Sequence, residues 1–110
     1  MVYDEALAQR IRPLLEGRDD VREQKMFGGI AFMVADKMAV GIVRDDLMVR
    51  VGRQGYEAAL ARPHVRAMDF TGRPSRGMVY VSPDGVAADE DLARWVETGA
   101  ACAESLTLTT

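Results

Sequence analysis

The sequence predicts an α+β domain of two layers, with one antiparallel sheet and elements in the order α-β-β-β-β-α-β-β-α. Three observations predict it. Residues 4–16 and 88–103 space their apolar residues with a helical period, residues 21–51 split into short alternating apolar runs, and glycine, proline and aspartate punctuate them. At 110 residues the chain fits one domain, 1–110, long enough to bury a core without disulfide staples.

Leu7, Ile11, Leu14 and Leu15 form the stripe of a first helix over residues 4–16, with Asp4 as its cap and Gly17 as its end. Pro13 lies inside the pattern and predicts a kink. A mostly polar strand follows over residues 21–27. Gly28-Gly29 then suits a tight reversal or a bulge, and no third glycine, lysine or hydroxyl follows to make it a phosphate loop.

The strands over residues 30–34 and 38–43 are apolar on both sides. Ile30, Phe32 and Val34 alternate with Ala31 and Met33; Met38, Val40 and Ile42 alternate with Ala39, Gly41 and Val43. A sheet with one solvated face would show polar residues at every second position. Ala31, Met33, Ala39, Gly41 and Val43 are therefore the candidate interface, a second apolar face to be covered by another copy of the chain, by a helix or by the C-terminal tail.

Residues 47–51 alternate Leu47, Val49 and Val51 with Met48 and Arg50. A short helix over residues 53–61 buries Tyr56, Ala59 and Leu60 and closes at Arg62-Pro63. Strands over 66–70 and 78–82 flank a Gly/Pro loop, with Val79 and Val81 opposite Met78 and Tyr80. Pro83-Asp84-Gly85 is a turn. The last helix starts near Ala88-Asp89, carries acids in its first turn and shows the stripe Leu92, Trp95, Val96, Gly99, Ala100 and Ala103. Gly99 weakens that helix and so predicts close packing. Residues 105–110 read as a frayed tail.

Net charge is −3, too mild to draw a nucleic acid by bulk electrostatics. Residues 44–76 nevertheless hold seven arginines against four acids, while residues 77–110 hold one against six. Arg50, Arg53, Arg73 and Arg76, with Arg62 and Arg66, are the candidate basic partner-binding set, because arginine suits phosphates and acidic surfaces. Pairing with Asp45, Asp46, Asp69 and the acidic last helix is the favoured reading of the same residues.

The single histidine, His64, and single cysteine, Cys102, make up neither a catalytic constellation nor a zinc site. Catalytic, cofactor-binding and metal-binding residues are accordingly none, and no cofactor is expected. One cysteine, no signal-like start and no apolar run of the ~20 residues a membrane helix needs predict a cytoplasmic protein with no membrane partner.

Met26-Phe27-Gly28-Gly29, Ala31-Phe32-Met33, Met38-Ala39-Val40-Gly41, Asp46-Leu47-Met48-Val49-Arg50-Val51, Pro63-His64-Val65-Arg66, Met68-Asp69-Phe70 and Gly77-Met78-Val79-Tyr80-Val81 together resemble the N-terminal domain of the TfoX/Sxy family. The resemblance spans nearly the whole chain. It implies a secretion-chaperone-like fold, a type that often dimerises, and a context of competence and transcription regulation with a cyclic-AMP receptor protein. Longer family members add a C-terminal helical domain that these 110 residues do not contain, so a stand-alone domain is expected.

The resulting expectation is a non-catalytic regulatory or protein-interaction domain. It would form a homodimer and take a protein partner in transcription regulation, with direct nucleic-acid binding as a weaker variant. The alternative is a small ligand-binding protein or enzyme with a pocket between sheet and helices, using Arg50, His64 or Tyr80.

Overall fold

The computed structural model describes residues 3–18, 20–26, 28–69 and 74–108. Helix α1 (Glu5–Ile11) starts where Asp4 Oδ1 accepts the Leu7 N–H at 3.2 Å, satisfying one of the donors that a helix start leaves orphaned. Pro13 does more than kink this helix. From Arg12 to Leu15 the chain tightens into a 3-10 segment, the short form in which a proline near the start loses no needed bond. The changed period takes Leu14 out of the stripe: Leu7, Ile11 and Leu15 are buried, and Leu14 stays 40% exposed.

The remaining elements are β1 (Val21–Met26), β2 (Gly29–Val34), β3 (Lys37–Val43), β4 (Asp46–Arg50), α2 (Gly52–Leu60), β5 (Val65–Asp69), β6 (Pro74–Val81), a 3-10 turn (Pro83–Val86) and α3 (Asp89–Leu108). Their order is the predicted one. The strands form a single antiparallel sheet, β1-β2-β3-β4-β6-β5. Met26 pairs with Gly29, so the reversal falls one residue before Gly28-Gly29 and Gly29 is already strand. Val34 pairs with Lys37 across a two-residue turn, Ala35-Asp36, both with positive φ. The segment expected to fray continues α3 to Leu108.

The three described α-helices lie on one face. There α3 crosses β3 and β4, and α2 covers β6 and β5. Two cross-strand rows floor this core: Phe32, Val40, Val49 and Val79, then Ile30, Ile42, Leu47 and Val81. Leu92, Trp95, Val96, Ala100 and Ala103 of α3 close it from above. Among the described residues no helix is long and apolar enough to cross a membrane.

One irregularity decides the rest. Phe32 pairs with Val40, but Met33 pairs with Met38, so Ala39 is an extra residue in β3. Such a bulge shifts the alternation of the strand that carries it. Ala39, expected on the second face, instead joins the helix-side core, and Met38 takes the second face. The close packing predicted at Gly99 is made to this bulge: a Cβ there would stand 2.3 Å from the Ala39 carbonyl oxygen.

Candidate interaction site

The helix-free face has one row that runs unbroken through all six strands: Gln24, Ala31, Gly41, Met48, Tyr80 and Arg66. Met33 and Met38 pair in the next row, and Met78 pairs with Arg50. Met48 and Met78 form a small core of their own, with Met38, Val43 and Tyr80 packed against it. No described helix residue belongs to this cluster.

Among the described residues the side chains of this face pack on one another. Ala31 and Met48 are fully buried, Met33 is 9% exposed and Met78 7%. Gly41 makes this possible, since Met48 Cε and Met38 Sδ lie over it where a side chain would otherwise stand. Arg50 reaches across the same surface and donates its Nε–H to the Met38 carbonyl at 2.6 Å. It thereby partners a backbone acceptor at the bulge.

At the other end of the central row, the Arg66 guanidinium lies 4.9 Å from the Tyr80 ring centroid and pairs with Asp46 at 2.5 Å and with Ser82 Oγ at 3.1 Å. The hydrogen bond to Asp46 raises the Arg66 pKa.

Four of the predicted interface residues, Ala31, Met33, Gly41 and Val43, thus share the helix-free face, and Ala39 does not. Sequence reasoning left Met38, Met48, Met78 and Tyr80 out of the interface set. Alternation in β4 and β6 carried the signal for Met48, Met78 and Tyr80; the bulge hid Met38.

The basic set does not gather in one place. Arg50 is half-buried on the helix-free face. Arg53 is exposed in the first turn of α2, beside an open hollow with Gln54, Tyr56, Glu57 and Leu60. Arg62 stacks 4.3 Å over Trp95 on the helix side. Arg73 and the side chain of Arg76 lie outside the described residues. The favoured ion-pair reading holds for Arg66 with Asp46.

His64 lies just before β5, at the edge of the sheet. It lines a cleft of about 270 Å³ with Arg62, Pro63, Asp84, Gly85, Asp91 and Trp95. Its carbonyl accepts the Ser82 N–H at 2.8 Å. Of the residues offered for the pocket alternative, Arg50 and Tyr80 lie on the helix-free face, outside any pocket between sheet and helices, and His64 lines this cleft. Among the described residues no three His, Cys, Asp or Glu side chains gather to hold a metal ion.

The model of the TfoX N-terminal domain matches residues 13–103. The chain belongs to the TfoX N-terminal domain family. The matched span runs from the 3-10 segment to α3 and so contains the entire sheet of this TfoX N-terminal domain. Comparison with curated proteins yields no match.

Proposed function

We propose that this TfoX N-terminal domain is a non-catalytic regulatory and protein-interaction module that pairs with a second copy through the helix-free face of its sheet. The observation that carries the reading is the composition of that face. It is apolar through four strands, from Ala31 and Met33 to Met78 and Tyr80, and no described helix covers it. Its methionines are unbranched and repack readily, which suits a surface that closes on itself when alone and flattens against a partner.

Area sets the strength of the pair. Strands about 4.8 Å apart with a rise of about 3.3 Å per residue give this face a footprint of roughly 400–500 Å², an upper bound on what it can bury because Ala31 and Met48 are already covered. A standard interface takes about 800 Å² from each partner, so the pair is weak and concentration-dependent. A role in transcription or competence regulation fits such a module, since weak pairing leaves the face available to exchange one partner for another.

Solution mass by light scattering, from low to high micromolar protein, tests the reading. The expected result is a rise from the chain mass towards twice that mass. Val43→Glu, which puts a charge at the half-buried rim, should abolish the rise while the fold stays intact by circular dichroism. A wild-type mass that never departs from one chain removes the proposal.

A further inference from the structure

The methionines are distributed unevenly across the sheet. The helix-side core is built from valine, isoleucine, leucine, phenylalanine, tryptophan and alanine, with no methionine among its described residues. Met33, Met38, Met48 and Met78, four of the chain's seven methionines, lie on the helix-free face. Thioether sulfurs are the groups on this face that peroxides oxidise.

We propose that Met38 is a modification site, oxidised to its sulfoxide by a peroxide, and that oxidation there disperses the pair formed through this face. The second half rests on the pairing proposed above.

Among the described methionines, access and position single out Met38. It is half-buried, whereas Met33 is 9%, Met78 7% and Met48 0% exposed. The bulge at Ala39 is what turns Met38 onto this face, and its Sδ lies 3.4 Å from where a Cβ on Gly41 would stand, over the central row.

In the reaction a sulfur lone pair attacks one peroxide oxygen, the O–O bond breaks, and the other oxygen leaves as water or an alcohol after taking up a proton. The thioether is oxidised by two electrons and the peroxide is reduced by two.

The product is a polar acceptor. In a single chain the sulfoxide oxygen at half-buried Met38 keeps contact with water. Against a second copy it would be pressed among Ala31, Gly41 and methionine side chains, where the Arg50 Nε–H is already donated to the Met38 carbonyl, so its desolvation opposes pairing. Methionine sulfoxide is reversible by reductases, which makes this a switch and not only damage.

The test treats the full chain with a graded dose of hydrogen peroxide, maps oxidised peptides by mass spectrometry and follows solution mass in the same samples. Met38 should gain oxygen before Met33, Met78 and Met48, and the mass of concentrated protein should fall by half as Met38 is converted. Methionine sulfoxide reductase should restore it.

In Met38→Leu protein, compared with its own untreated mass, the same dose should produce no fall. Oxidation of Met48 or Met78 ahead of Met38, or an equal fall in Met38→Leu protein, overturns the proposal. Untreated protein that is monomeric at every concentration overturns the pairing and with it the switch, while the order of oxidation still decides the site.

Discussion

Met48 folds its methyl group over Gly41, 2.6 Å from the point where a Cβ at position 41 would stand. This contact across β3 and β4 helps to bury Met48 on a sheet face that no described helix covers. It also pairs with a second close approach on the opposite side of β3, between Gly99 and Ala39.

The two glycines should respond differently to the same substitution. In Gly41→Ala the Met48 methyl is the far end of a flexible side chain and can swing away, while the Ile30 carbonyl oxygen, 3.0 Å from the new Cβ, must give by a few tenths of an ångström, so a loss of about 1 kcal/mol is expected. In Gly99→Ala the obstruction is the Ala39 backbone oxygen. Alanine's better helix propensity returns about 1 kcal/mol, against an overpacking cost of about 3 kcal/mol, for a net loss near 2 kcal/mol. Urea unfolding midpoints of both variants decide it, and a Gly99→Ala protein as stable as wild type would contradict the packing described.

Arg50→Met keeps the apolar stem over the methionine face but removes the donor to the Met38 carbonyl. A charge-assisted bond to a half-buried backbone group is worth about 1.5–3 kcal/mol, and a loss in that range is expected. Amide exchange should accelerate around Met38 and Ala39 if the bulge loosens. Unchanged stability and exchange would show that Arg50 is dispensable there.

Ala35 and Asp36 occupy a two-residue hairpin turn with φ of 51° and 66°. Left-handed backbone is unfavourable for alanine, and Asn-Gly is the sequence that this kind of turn prefers. The double substitution Ala35→Asn, Asp36→Gly should stabilise the domain by about 1 kcal/mol, seen as a higher unfolding temperature. A lower one would mean that these side chains contribute more than the turn costs.

Trp95 is the only tryptophan in the chain and is 3% exposed under the Arg62 guanidinium. Arg62→Ala should leave stability within about 1 kcal/mol, as cation–π contacts near a surface are modest. It should also raise the quenching of Trp95 fluorescence by acrylamide. Quenching identical to wild type would place the shield elsewhere.

Much of this architecture was legible in the sequence because its causes are local. Period-2 alternation placed Leu47 and Val49 opposite Met48, and Val79 and Val81 opposite Met78 and Tyr80, as their clusters confirm. The stripe from Leu92 to Ala103 lies in the helix-side core as read, and the one glycine within it, Gly99, marks a close approach. Residues 74–77, read as loop, belong to β6; the other misplacements came at Leu14, Gly29 and Ala39. In each, one residue of changed phase moved a side chain or a turn: the 3-10 segment at Pro13, the hairpin ending at Gly29 and the bulge in β3.

The sequence by itself determined the element order, the single sheet and the existence of a second apolar face, since helical and strand periods are properties of neighbouring residues. Only the tertiary structure decided which residues make that face. A bulge is set by how one strand registers on another, and the exchange of Ala39 for Met38 followed from that register. The packing of Met48 over Gly41 likewise required two strands to meet, because a flexible thioether takes the shape of the space that its neighbours leave.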